Sequence, residues 1–479
     1  MRPHSPMPSR PSGLLRDVAF FMIAVENILQ TMNIRTVGLD DLARLMSQLA
    51  GQHKPIAVGG YVDEVSRSAI GVRGISQMVQ LGDMVMIRSE NRLHPAEVVR
   101  LEQAQALIKP FDDRITPPLG SPVFPEGPFR ISPAADWKGR VINALGAPLD
   151  GKGLITAGTE PVAVDRPAPL AMNRSRVEKG LRSGVNVVDV FVPMCFGQRM
   201  GIFAGSGVGK STLLAMMTKA ADFDTVVLAL TGERGREVRD MLEDTMAGKL
   251  DKTIAVIATG DESPMMRRLA PNTATAIAEY FRDRGDNVLL IVDSITRFAH
   301  AAREIAIAAG EPPVSRGYPP SVFSQLPRLL ERAGPGLTGE GTITGIYAVL
   351  VDGDDHNDPI SDAIRGTLDG HIVLDRGIAA QGRFPAVDIL GSISRLAHHN
   401  WTPDQAKLAT SLRGLISRFE ETRDLRMIGA YREGSDPLID QAVNLVPLIY
   451  GTMQQTPSSP LSQDPYSDLA TALRPTEPS

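Results

Sequence analysis

Ala204-Gly-Ser-Gly-Val-Gly-Lys-Ser-Thr212 is a glycine-rich stretch that lies between two contrasting flanks. The residues before it, Met200–Phe203, are mostly apolar and predict a buried strand, and those after it, as far as Lys219, favour a helix. A strand, a glycine-rich turn and a helix in this order are the context of a phosphate-binding loop. This chain has Ala204 where the strict pattern has glycine, and a change between two small residues leaves the loop able to form. The stretch therefore predicts an α/β fold that binds a nucleotide.

The parts of this loop suit a polyphosphate bound to a metal ion. Glycines let successive backbone N–H groups point inward, and the start of the helix adds partial positive charge. Lys210 is expected to reach the β- and γ-phosphates, and the Ser211 hydroxyl to hold Mg²⁺. We therefore expect a nucleotide bound together with Mg²⁺. The predicted nucleotide-binding residues are Gly205, Ser206, Gly207, Val208, Gly209, Lys210, Ser211 and Thr212.

Two acidic residues follow apolar strands elsewhere in the chain. The strand that starts at Asn287 ends in Asp293, which would hold water in the Mg²⁺ shell. Another strand, starting at Val226, is followed by Glu233, which should lie at the same sheet edge as Lys210 and polarise a water for attack on the γ-phosphorus. The charged residues beyond it fit either coupling groups or an exposed, salt-bridged helix start: Arg234, Arg236 and Glu237.

Length and composition narrow the class of protein. At 479 residues the chain predicts about two to four domains. The net charge of −5 and pI near 6.0 give no general attraction to nucleic acid. The single cysteine, Cys195, excludes an intramolecular disulfide and a cysteine metal cluster. Val18–Val25 is far shorter than the roughly 20 apolar residues of a membrane span, so it predicts a helix that lies on a membrane, on a partner or in a core.

The pattern along the chain predicts a small N-terminal β-barrel, a central P-loop (RecA-like) domain with a parallel sheet, and a C-terminal helical domain. A proline-rich passage at residues 110–133 reads as a linker. The buried core strands are predicted at Arg199–Phe203, Thr225–Leu230, Thr253–Ala258, Asn287–Val292 and Gly345–Val351. The predicted divisions are a partly disordered, partly helical extension at 1–50, the barrel at 51–115, the P-loop domain at 116–400, the helical domain at 401–455 and a flexible tail at 456–479.

Three longer motifs resemble a known family. They are Gly232-Glu-Arg-Gly-Arg-Glu237, Tyr280-Phe-Arg-Asp-Arg-Gly285 and Asp293-Ser-Ile-Thr-Arg-Phe298. Together they are similar to the catalytic subunits of the rotary ATPases and their secretion relatives. The resemblance implies ATP hydrolysis, with a catalytic glutamate at Glu233, a catalytic lysine at Lys210 and an active-site arginine at Arg297.

Further motifs resemble the type III export ATPases, which serve either the flagellum or the related injectisome. They are Tyr318-Pro-Pro-Ser-Val-Phe323, Glu331-Arg-Ala-Gly334, Gly353-Asp-Asp-His-Asn-Asp-Pro359, Leu368-Asp-Gly-His-Ile372, Ser392-Ile-Ser-Arg395 and Ile428-Gly-Ala-Tyr-Arg-Glu-Gly-Ser-Asp-Pro437. The segment from Phe191 to Gly209 is closer to the flagellar branch. The resemblance therefore implies export of flagellar components across the inner membrane, with the injectisome ATPases as the alternative.

The ring ATPases of this family place each site between two subunits, and the neighbour supplies an arginine that neutralises charge on the γ-phosphate. Arg395 matches that arginine, and the same chain also carries Glu233 and Lys210. One polypeptide can thus supply both halves of a site, which predicts a homo-oligomeric ring, and the resemblance implies that this ring is a homo-hexamer. The resemblance also implies a cytoplasmic protein peripheral to the inner membrane at the export apparatus. Its implied partners are a regulatory stator-like export subunit, a central-stalk-like subunit, export-gate membrane proteins, exported substrates and chaperones.

Two other functions fit the loop alone. A non-catalytic nucleotide-binding ring subunit would lack the carboxylate that Glu233 supplies. A hexameric RNA translocase also has an N-terminal barrel, but the only aromatic residue of Ile56–Leu101 is Tyr61, which leaves no stacking platform for bases. We therefore expect no nucleic acid partner. Tyr431 is a candidate for contact with adenine.

Overall fold

The structure is a computed structural model. In the first part of the chain that it describes, six antiparallel strands close into a barrel. The described residues are 58–220, 223–245, 250–351 and 358–474. The strands follow the order β1-β2-β5-β4-β3-β6 around the barrel, and their inward side chains are mainly valine and isoleucine. Their bounds are β1 Gly60–Val65, β2 Ile70–Arg73, β3 Met84–Ser89, β4 Arg92–Leu101, β5 Gln105–Pro110 and β6 Pro122–Gly127.

The barrel extends beyond the predicted boundary at residue 115. Strand β6 lies inside the proline-rich passage that we expected to be a linker, and it closes the barrel by pairing with β1 and β3. Pro122 is the first residue of β6, and Pro125 lies beside a shift in the β3–β6 register, two positions where a strand tolerates proline. The buried Val123 between them supplies part of the barrel core. The linker prediction was therefore wrong for β6.

A second sheet forms the centre of the molecule. Its strands follow the order β19-β18-β12-β17-β15-β13-β14-β8, and β16 also pairs with β17. All pairs along that order are parallel except β18–β19, so the predicted parallel sheet is confirmed with one antiparallel strand at its edge. The remaining strands of the chain are β7 Arg130–Ile131, β8 Val141–Asn143, β9 Val162–Ala163, β10 Gly180–Leu181, β11 Met194–Cys195, β12 Arg199–Ala204, β13 Thr225–Thr231, β14 Thr253–Ala258, β15 Asn287–Asp293, β16 Gly334–Pro335, β17 Thr342–Leu350, β18 Gly370–Leu374 and β19 Val387–Ser394.

Helices cover both faces of this sheet, which is why its inner strands are buried along nearly their whole length. One face packs against α2, and the other packs against α4 and α5. No described helix is long and apolar enough to cross a bilayer. The helices are α1 Asn186–Phe191, α2 Lys210–Ala220, α3 Gly235–Thr245, α4 Pro264–Arg282, α5 Ile295–Ala308, α6 Pro320–Leu330, α7 Pro359–Thr367, α8 Arg376–Ala380, α9 Pro403–Glu421, α10 Arg423–Met427, α11 Pro437–Met453 and α12 Pro465–Ala472.

The C-terminal part is helical as predicted, and it continues further than expected. Helix α12 lies within the segment that we expected to be a flexible tail. Asp464 caps it by accepting a hydrogen bond from the backbone N–H of Tyr466, and Leu469 is fully buried in the core. The Tyr466 hydroxyl donates to the Val190 carbonyl of α1 at 3.1 Å. These contacts tie the helix down, so the tail prediction was wrong for residues 465–472.

Several predictions fall outside the described residues. They concern the extension at residues 1–50 with its segment Val18–Val25, most of the motif at residues 353–359, and the last five residues of the predicted tail.

Candidate functional site

The glycine-rich loop connects β12 directly to α2. Strand β12 ends at Ala204 and α2 begins at Lys210, so the loop occupies the five residues between them. Gly207 and Gly209 have φ angles of 77° and 102°, a region that costs other residues about 1–2 kcal/mol. The turn therefore depends on glycine, and it presents the N-terminus of α2, where helix geometry favours an anion.

Lys210, Glu233, Asp293 and Arg297 meet at the carboxyl edge of the central sheet. The Lys210 ammonium contacts the Asp293 carboxylate and lies 3.8 Å from Glu233 Oε1. The register explains the proximity of the two acids, because Leu230 of β13 pairs with Asp293 of β15 and Glu233 follows just beyond β13. Arg297 Nε lies 3.5 Å from Glu233 Oε1. These four sequence-predicted site residues are thus brought together.

The Glu233 carboxyl group has an unusual electrostatic environment. Only 9% of the residue is exposed, and burial raises its pKa above the ordinary value for glutamate. Lys210 and Arg297 oppose this rise in pKa, and the Asp293 carboxylate adds to it. A carboxylate with a raised pKa is a stronger base than an exposed glutamate, which suits it to accepting a proton from water.

Arg297 also holds the backbone that carries Glu233. It lies in the first turn of α5, and its guanidinium donates a hydrogen bond to the Gly232 carbonyl. The same side chain thus contacts both the residue before Glu233 and the Glu233 carboxylate. Arg297 and Lys210 both approach Oε1 of this carboxylate, so two cations restrain the same oxygen.

The donors near the loop suit a hydrated magnesium ion. Ser211 is exposed at the start of α2, and Asp293 is only 1% exposed at the end of β15. The hydroxyls of Thr231 and Ser294, beside these strand ends, are buried without a hydrogen-bond partner among the described residues. Orphaned hydroxyls and a carboxylate are oxygen donors that match Mg²⁺ and its bound waters.

Arg395 lies at the opposite edge of the sheet from its own phosphate-binding loop. It follows the antiparallel β19, and its backbone N–H donates to the Asp369 carbonyl at 2.9 Å. The Asp369 carboxylate accepts a hydrogen bond from the backbone N–H of Arg199, the first residue of β12, whereas the loop follows the last. The length of β12 therefore separates the end of the sheet that carries Arg395 from the phosphate-binding loop by about 17 Å. Arg395 is exposed there and is not brought to the Lys210 cluster of the same chain.

An aromatic residue that the sequence reasoning missed lies beside the loop. Phe384 is 45% exposed, and its ring reaches 4.0 Å from the position that a Cβ atom on Gly209 would take. A cavity of about 430 Å³ adjoins this segment and is lined by Gln381, Arg383, Phe419 and Tyr450 among others. The hydroxyl of Tyr431, the candidate named from sequence, instead donates to Asp440 within the helical domain. The sequence offered no signal for Phe384, because its exposure and its place beside the loop depend on the path of the segment between α8 and β19.

Comparison with family models divides the chain at the same place as the fold. Residues 184–394 match the model of the ATP synthase alpha/beta family, nucleotide-binding domain. Residues 401–474 match the model of the T3SS EscN ATPase C-terminal domain. The second match includes α12, which agrees with its packing onto the rest of the chain.

Full-length relatives and solved structures are also similar. The flagellum-specific ATP synthase of Agrobacterium fabrum is 56% identical over 91% of this chain and 92% of its own length. The assembled ATPase EscN of the enteropathogenic E. coli type III secretion system is 37% identical, with a TM-score of 0.80, over 86% of this chain and 98% of its own. The structure of EscN with its central stalk EscO gives a TM-score of 0.78 at 37% identity, over 87% of this chain and 100% of the EscN chain.

Proposed function

The chain belongs to the ATP synthase alpha/beta family, in its flagellum-specific branch, and on that premise we propose that it hydrolyses ATP to energise type III export of flagellar components across the inner membrane. The observation that carries this proposal is the Glu233 carboxylate, held 3.8 Å from Lys210 and 3.5 Å from Arg297 beside a phosphate-binding loop. The 56% identity to the flagellum-specific ATP synthase of Agrobacterium fabrum, against 43% to the type 3 secretion system ATPase of Xanthomonas euvesicatoria, supports the flagellar assignment.

Residues Gly205–Thr212 hold the nucleotide phosphates, and the Lys210 ammonium binds the β- and γ-phosphates. Ser211 and Asp293 would hold Mg²⁺, which would offset the negative charge of the phosphates during transfer. The Phe384 ring is suited to stacking on the nucleobase, because it is exposed beside the loop and directly follows Arg383, which lines a cavity. In this structure Lys210 contacts the carboxylates of Glu233 and Asp293, and the substrate phosphates would replace these carboxylates as its partners.

Glu233 accepts a proton from a water molecule while the oxygen of that water attacks the γ-phosphorus. The bond from the γ-phosphorus to the bridging oxygen breaks, and ADP and phosphate leave. Arg297 keeps the carboxylate in place through the Gly232 carbonyl. Exclusion of water by burial strengthens each of these electrostatic contacts.

Arg395 completes the site of a neighbouring copy in a homo-hexameric ring. Its place at the far edge of the sheet supports this role, because a head-to-tail interface joins opposite sides of adjacent subunits. The solved structures of assembled EscN, with and without its central stalk, support a ring with a stalk partner. The other proposed partners are a regulatory stator-like subunit, export-gate membrane proteins, exported substrates and chaperones, met in the cytoplasm at the inner membrane.

Dilution tests the shared site. Turnover per subunit in the presence of Mg²⁺ should fall steeply once the protein is diluted below the concentration at which rings, followed by light scattering, dissociate. Constant turnover well into the monomer range would contradict a site built from two subunits. Addition of a chelator should abolish turnover at every concentration. Co-purification with flagellar rather than injectisome components checks the branch.

A further inference from the structure

We propose that Gly260 and Ser263 are positioning residues for Glu233. They lie in a loop that also connects the carboxyl edge of the central sheet to the barrel. The loop, residues 259–263, connects β14 to α4 and is called the brace loop below. The inference rests on the proposed role of Glu233, and it adds two residues that act through the backbone of Glu233.

The last residue of β14 and the brace loop together make hydrogen bonds to the backbone on both sides of the Gly232–Glu233 peptide. At the end of β14, the Ala258 carbonyl accepts a hydrogen bond from the Gly232 N–H at 2.6 Å. The Gly260 N–H then donates to the Glu233 carbonyl at 3.0 Å. Because Arg297 holds the Gly232 carbonyl from α5, the backbone that carries the carboxylate is held from two neighbouring elements.

The brace loop approaches this backbone so closely that a side chain at position 260 would crowd it. A Cβ atom at position 260 would lie 3.0 Å from the Gly232 carbonyl oxygen and 3.8 Å from that of Glu233. The first distance is shorter than ordinary van der Waals contact, so one of the two backbones must shift. A side chain at position 260 thus pushes directly on the peptide that sets the place of the Glu233 carboxylate.

Ser263 fixes the other end of the brace loop. Its hydroxyl donates to the Phe111 carbonyl at 2.6 Å and accepts from the Met266 N–H at 3.2 Å, which caps α4. Phe111 is buried immediately after β5, the fifth strand of the barrel. One hydroxyl therefore connects the brace loop to α4 and to the end of the barrel strand β5. The barrel thereby influences the geometry of hydrolysis without contributing to the site.

The test uses full-length rings and four variants: Gly260→Ala, Ser263→Ala, Ser263→Thr and, as a matched control, Gly414→Ala. Position 414 is exposed on α9, and a Cβ there would meet nothing within 4 Å. Gly260→Ala and Ser263→Ala should lower kcat about 10- to 100-fold with the KM for ATP little changed. Ser263→Thr retains the hydroxyl and should keep most of the activity, and Gly414→Ala should behave as wild type.

A second measurement separates positioning from a general loss of structure. Residual single-turnover hydrolysis is compared in Glu233→Gln with and without Gly260→Ala. If Gly260 acts through the Glu233 carboxylate, the added change should alter that residual rate less than about 2-fold. A wild-type kcat in Gly260→Ala, an equal further loss in the Glu233→Gln background, or no rescue by threonine would overturn the proposal. Undiminished activity of Glu233→Gln alone would instead overturn the proposed function.

Discussion

Mixed rings of two inactive variants offer a sharp test of how this site is shared. Glu233→Gln removes the base from the half of the site that carries the loop, and Arg395→Ala removes the cation from the other half. Each variant alone should lose about a thousand-fold or more of its turnover. Because the two groups lie at opposite edges of the sheet within one chain, a ring that contains both variants can still form intact sites.

The expected recovery follows from counting interfaces. In rings assembled at random from equal amounts, an intact site needs an Arg395→Ala chain on the loop side and a Glu233→Gln chain on the arginine side. About one quarter of interfaces meet that condition. After dissociation, mixing and reassembly, a phosphate-release assay should therefore show about a quarter of wild-type turnover if sites act independently.

The control uses two defects on the same half of the site. Lys210→Ala mixed with Glu233→Gln should recover nothing, because no interface can combine an intact lysine and glutamate when both belong to one chain. Failure of the Glu233→Gln and Arg395→Ala mixture to exceed its components, despite mixed rings seen by mass spectrometry, would refute the placement of Arg395 in the neighbour's site.

Two further predictions concern the contact with the nucleobase and the pH dependence of kcat. Phe384→Ala should raise the KM for ATP by about 10-fold, corresponding to the loss of about 1–2 kcal/mol of aromatic stacking. Phe384→Tyr keeps an aromatic ring and should have a KM near that of wild type. Equal KM values in the wild type and both variants would exclude the Phe384 ring from the nucleotide site. Burial raises the pKa of Glu233, and hydrolysis needs its ionised form, so kcat should fall as the pH is lowered through a value above the ordinary glutamate range. Residual turnover in Glu233→Gln should not show this fall at acid pH. The same fall in that variant would assign the pH dependence to another group.

The sequence predicted the central sheet because its signals reinforce one another. The phosphate-binding loop marks where β12 ends, and a strand covered by helices on both faces reads as an unbroken apolar run, as in β13 and β15. Strand β6 gave the opposite signal. Pro122 and Pro125 suggest a linker, and only its pairing with β1 and β3 reveals that neither proline occupies a position where the missing N–H matters.

Candidate site residues divide in the same way. Lys210, Glu233 and Asp293 could be assigned because strand ends of a parallel sheet share an edge, which makes their proximity a matter of topology. Phe384 could not, since it lies in a loop whose path depends on the packing of α8 and β19. Gly260 and Ser263 gave no signal of a link to Glu233, because the contacts that carry it, to the Glu233 and Phe111 carbonyls, are to backbone atoms of distant segments.

The closed barrel bears on how such a ring can exchange its members. Copies held side by side would risk adding strands to one another wherever a sheet edge lay open, and such growth is hard to reverse. Within the described residues the six barrel strands leave no free edge. Neighbouring barrels can therefore meet only through side chains, and a subunit can leave and re-enter the ring without unravelling backbone pairing. The subunit exchange on which the mixed-ring experiment depends is thus compatible with the architecture of the chain.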